Sequence, residues 1–151
     1  MSKVTEAEAL ALLSNPKQCI DIGAWLPVRH LANTWSCASG VINAEGVGTH
    51  LWVDLVLRRS PKTRMIWYKF SVFRRHAWGT EMVYQLDVQC YEKRLKNAHD
   101  MPHEHMGDLR MQGSLTWAQW SFEDVLRRFS ERTKIDFEPP VSHPDDFELK
   151  G

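Results

Sequence analysis

The spacing of hydrophobic and polar residues along this chain switches twice, and the switches outline a helix, a block of strands and a second helix. Near the start, Thr5-Glu6-Ala7-Glu8 has the form of a capping box, with Thr5 as cap and Glu8 three residues on. Leu10, Leu12 and Leu13 give that short helix an apolar side, and Asn15-Pro16 ends it. Near the other end, Ser121 stands as a cap before Glu123 and Asp124, where the helix dipole favours acids. Phe122, Val125, Leu126 and Phe129 then recur at i, i+3, i+4 and i+7, a stripe that predicts a docked face.

Between the helices the period is two. Cys19 to His30 reads as extended, although Gly23 and Pro27 confine any strand there to a short or edge position. Thr34 to Ile42 follows, then a stronger strand over 50–58, bounded by Gly46 and Gly48 on one side and Ser60-Pro61 on the other. Within 64–74, Ile66, Tyr68, Phe70 and Val72 form a uniformly apolar face, opposite Met65, Trp67, Lys69, Ser71 and Phe73. Trp78-Gly79 reads as a turn. Beyond it Met82, Tyr84, Leu86, Val88 and Cys90 alternate with Val83, Gln85, Asp87, Gln89 and Tyr91. Short connections predict an antiparallel meander. The expected fold class is α+β: a single domain over residues 1–135, with an antiparallel sheet of about five strands flanked by an N-terminal and a C-terminal helix. Residues 136–151 read as an acidic, proline-rich tail, with three prolines and four acids between Asp136 and Asp146.

Composition narrows the setting. A hydrophobic content of 43% with 25% charged residues is that of a globular chain. No apolar run approaches the ~20 residues of a membrane span, and Glu6 and Glu8 argue against a signal peptide. Cys19, Cys37 and Cys90 are odd in number and lack C-x-x-C spacing, so free thiols in the reducing cytoplasm are expected. The net charge of zero conceals an uneven spread: residues 58–96 hold ten basic side chains against three acidic, or +7. A basic middle fits a phosphate-binding face or the protected edges of a sheet. Trp52, Trp67 and Trp78 lie in or beside it, placed either to pack or to stack on unpaired bases. Trp67 falls on the face opposite the apolar one, which assigns it to a second packed layer or to a binding surface.

The densest chemistry is His99-Asp100-Met101-Pro102-His103-Glu104-His105-Met106-Gly107-Asp108. On a strand, His103 and His105 share one face and Glu104 takes the other. Neutral imidazoles at that spacing can ligate a metal, with Asp108, Asp100 or His99 completing the set. They can instead serve as acid and base in phosphodiester cleavage, with an RNA 2′-hydroxyl as nucleophile. A polar surface loop is the plain alternative. H-E-x-x-H spacing is absent, so no metal and no cofactor are assigned.

The order of these motifs carries a resemblance. Val83-Tyr84-Gln85-Leu86-Asp87-Val88 precedes Lys93-Arg94, then Asn97-Ala98-His99, Pro102-His103-Glu104-His105, Gly107-Asp108 and a terminal helix. Residues 83–134 thereby resemble the TumE-like toxins of bacterial toxin–antitoxin modules, and uncharacterised phage and mobile-element proteins with a similar His-x-His strand. The resemblance implies a protein that acts on RNA or the translation machinery and pairs with a cognate antitoxin. On that reading His103 and His105 are the acid–base pair, Asp108 or His99 orients one imidazole, and Arg94 with Arg74 or Arg75 holds phosphate. The competing expectation is a non-enzymatic accessory protein that docks on a protein partner, its histidines incidental. A homodimer fits either, through exposed sheet edges.

Overall fold

The computed structural model describes residues 2–63, 65–90 and 101–146. In chain order the strands are β1 Ser2–Lys3, β2 Lys17–Ile20, β3 Leu26–Pro27, β4 Thr34–Asn43, β5 Gly48–Arg59, β6 Ile66–His76, β7 Gly79–Cys90, β8 His103–Met106, β9 Leu109–Gln112 and β10 Ile135–Glu138. The helices are α1 Glu6–Leu12 and α2 Phe122–Thr133. All ten strands join one mixed sheet in the order β10-β2-β4-β5-β6-β7-β8-β9, with β1 parallel beside β7 and β3 beside β4.

The expected α+β sheet of about five strands is therefore corrected: the fold is mostly sheet, with ten strands among the described residues. The cause is physical. β1, β3, β8, β9 and β10 are two to four residues long, too short to display a period, and each forms by pairing with a neighbour. The long strands β4 to β7 run as an antiparallel meander.

One face of the sheet carries α2. Phe122, Val125 and Phe129 are buried, and the Phe129 ring lies 5.8 Å from Phe70 and 5.9 Å from Tyr84. Ser121 caps the helix in a full capping box with Asp124. α1 docks through Ala9 and Leu13, while Leu10 is exposed. Thr5 accepts from the Glu8 amide, as a cap does. A bulge at Val72/Phe73 shifts the register so that Phe73 pairs with Met82. Val83 is buried at the shift, and Met82 is carried to the opposite face from Tyr84 and Leu86.

Residues 135–146 are not a free tail. β10 pairs in parallel with β2, Val141 and Pro144 are buried, and the Trp25 indole N–H donates to the Ser142 carbonyl at 2.9 Å. Asp145 pairs with Arg59. Among the described residues no helix is long and apolar enough to cross a membrane.

The turn between β8 and β9 explains the Gly-Asp that follows the histidines. Gly107 has φ +59°, and its amide donates to the Val83 carbonyl at 2.7 Å. A Cβ there would sit 2.4 Å from the Thr5 carbonyl oxygen. The next residue, Asp108, accepts from the Glu6 amide through Oδ1 at 2.9 Å. The pair thus locks the start of α1 onto the end of β8. Gly107→Ala is expected to cost about 1–3 kcal/mol, because the backbone of Thr5 cannot withdraw as a side chain would. Chemical unfolding checks it, and a loss below ~0.5 kcal/mol counts against the close approach.

Candidate functional site

Among the described residues no helix covers the face of the sheet opposite α2, and cross-strand register builds its chemistry rung by rung. One rung runs Asp54, Ser71, Gln85, His105, Arg110 across β5 to β9. The next runs Val56, Lys69, Asp87, His103, Gln112. Paired residues in a ladder point to the same face, so both histidines, Lys69 and Asp87 share one floor. His103 and His105 do alternate with buried Glu104 and Met106 along β8.

The two imidazoles meet edge to face with centroids 5.1 Å apart. His103 is fixed from two sides. Its Nδ1 lies 3.1 Å from the Met101 carbonyl oxygen, a contact in which the ring N–H donates. Its Nε2 faces Asp87 Oδ2 at 3.9 Å. Asp87 is itself held by the Trp67 indole N–H, which donates to Oδ1 at 2.6 Å. The Nδ1 proton of His103 therefore has an oxygen acceptor, and Nε2 lies within ion-pair distance of a carboxylate.

His105 has the opposite environment. Burial, reinforced by the positive charges of Lys3, His103, Arg110 and Lys69, pulls its imidazole down to about 4. At neutral pH it is uncharged. Its buried Nδ1 has no hydrogen-bond partner among the described residues. Lys3, Lys69 and Arg110 have no carboxylate partner there either, and Lys69 lies 5.5 Å from the Trp67 ring centre. The result is a cationic patch around a neutral imidazole.

The other expected site residues fall elsewhere. Asp108 lies in the turn and caps α1, so it orients neither histidine. Arg74 donates to Glu81 Oε1 through Nε (3.1 Å) and Nη2 (2.8 Å), with Glu8 at 3.5 Å, next to α1 and away from the open face. Arg75 stacks on Trp52 at 3.8 Å, two rungs beyond Ser71 and two strands across from β8. His99 and Arg94 lie outside the described residues. The cations that do gather at the histidines are Lys69, Arg110 and Lys3. Lys69 was visible in the sequence as a charged residue on the non-core side of β6; Arg110 and Lys3 depend on strands too short to read.

Beside this patch the same floor opens into a cavity of about 600 Å³, walled by residues 30–32 and floored by β5, β6 and β7. Lys69 and Gln85 belong to both cavity and patch. Among the described residues no cluster of three His, Cys, Asp or Glu is placed to hold a metal. Comparison with models of known families, with curated proteins and with solved structures finds no match for this chain.

Proposed function

We propose that the open face of the sheet cleaves RNA by internal transfer, without a metal. His105, uncharged and facing the patch, takes the proton from a 2′-hydroxyl. The 2′-oxygen bonds to phosphorus as the bond from phosphorus to the 5′-oxygen breaks. His103 gives its proton to the departing 5′-oxygen, which leaves a 2′,3′-cyclic phosphate and a 5′-hydroxyl. Lys69, with Arg110 and Lys3, holds the phosphate and balances the charge that builds on its oxygens.

The observation that carries this reading is the convergence of three basic side chains without carboxylate partners on a neutral imidazole, next to a second imidazole held through Nδ1 by the Met101 carbonyl. Acid–base catalysis needs one imidazole in each role, and the burial of His105 beside cations suits it to the neutral one.

The test uses an oligoribonucleotide and the same sequence carrying 2′-deoxyribose throughout. Wild-type protein is expected to cut the first, leaving cyclic-phosphate ends detectable by mass spectrometry, and to leave the second intact. Cleavage that persists in a His103→Ala/His105→Ala protein, or that requires an added divalent cation, overturns the reading.

A further inference from the structure

The 600 Å³ cavity is lined by Asp54, Ser71 and Gln85, which stand on the same rung as His105. Asp54 is half-buried and has no hydrogen-bond or ion-pair partner among the described residues. Burial pushes its carboxyl up from the ordinary value, with no compensating donor. Between Asp54 and His105, the Gln85 side-chain amide donates to the Ser71 hydroxyl oxygen at 2.9 Å. The rung therefore presents an unpartnered carboxylate at one end and the histidine patch at the other. Three interstrand spacings, about 14 Å, separate the two backbones; Asp54, Ser71 and Gln85 line the cavity, and His105 follows on the next strand of the same rung. Val56, Phe73 and Met82 supply apolar surface along the way.

A carboxylate offers two acceptor oxygens in one plane. A guanine base offers two adjacent N–H donors, N1–H and N2–H, on its Watson–Crick edge. Adenine, cytosine and uracil each place an acceptor beside a donor there, which would face a carboxylate oxygen lone pair to lone pair. A flat, largely apolar ring that ends in two donors matches the cavity, which Lys69 also lines.

We propose that the cavity is a guanine-binding subsite in which Asp54 accepts from N1–H and N2–H, so that the bond cut is the one on the 3′ side of guanosine. The inference rests on the RNA-cleavage reading for its second half and on the cavity alone for its first.

Isothermal titration with the four nucleoside 3′-monophosphates reads binding without cleavage. Guanosine 3′-monophosphate is expected to bind about tenfold or more tightly than the other three. Asp54→Asn, which keeps the shape but replaces one acceptor by a donor, is expected to erase that difference. Its unfolding midpoint is measured alongside to verify that the variant is folded. Equal binding of the four nucleotides by wild-type protein overturns the subsite, as does an unchanged guanine preference in a folded Asp54→Asn protein. Guanine-selective binding without cleavage of any RNA leaves the subsite standing and removes the catalytic reading. Cleavage with no preference for the base on the 5′ side does the reverse.

Discussion

His105→Gln is expected to slow RNA cleavage by about 10²–10⁴-fold, the range lost when a positioned general base is removed. Glutamine keeps much of the bulk and polarity of the ring but cannot take a proton. The single-turnover rate on an oligoribonucleotide checks it, and a loss below about tenfold would mean that His105 is not the base. The wild-type rate carries a second signature. If His105 is the base as proposed, its imidazole, at about 4, should stay in the neutral form down to unusually acidic pH, and cleavage should fall only near that value.

The same shift links stability to pH. An unfolded histidine takes up its proton near 6.5, whereas His105 in the fold does so only near 4. Between these values the unfolded state binds the extra proton, so stability falls as pH drops from about 6.5 to about 4 and is insensitive to this group above that window. Partial exposure screens the effect, which leaves roughly 2 kcal/mol. His105→Gln is expected to remove that part of the acid sensitivity. Unfolding midpoints of both proteins at pH 7 and pH 4.5 test it; parallel losses would show that His105 does not titrate this way.

How much of this was legible in the sequence depended on element length. β6 and β7 each have at least eleven residues, so their alternation exposed the core face and placed Trp67, Lys69 and Asp87 on the other. The bulge at Val72/Phe73 has no periodic signature, so Met82 was read on the wrong side. Asp136 and Glu138 read as part of an acidic, proline-rich tail because of their charges and the prolines that follow; the parallel pairing of β10 with β2 is a long-range contact that charge cannot report. The histidine pair was readable as chemistry, but not its partners. Arg74 and Arg75 were nearer in composition than in space, because adjacent strand residues face opposite ways and each already has a partner in Glu81 or Trp52.

Glu104→Ala is expected to cost about 3 kcal/mol, from the other side of the same short strand. Its side chain is only 4% exposed and gathers three partners: Arg128 through Nε at 3.1 Å and Nη2 at 2.6 Å, Arg132 at 3.6 Å, and the Tyr84 hydroxyl, which donates at 2.6 Å. The two arginines are about one-third exposed and can turn to water once the carboxylate is gone, but the buried Tyr84 hydroxyl cannot. Arg128→Ala should therefore cost at least as much, since it strands a buried carboxylate with weaker company. Replacing Glu104 and Arg128 together by Met should cost less than the sum of the single changes, because no charge is then left behind. For a chain of this length ~3 kcal/mol lowers the melting temperature by roughly 6–12 °C. A Glu104→Ala loss below ~1 kcal/mol, or additive single and double changes, would show that the cluster does not bind α2 to β8. The cluster also bears on the site. β8 is four residues long and cannot hold itself, so Glu104 under α2 anchors the strand whose other face carries His103 and His105. Loosening that anchor should lower cleavage in Glu104→Ala even at temperatures where the protein stays folded, and Glu104→Gln, which keeps an acceptor for Tyr84 and Arg128, should recover part of both losses.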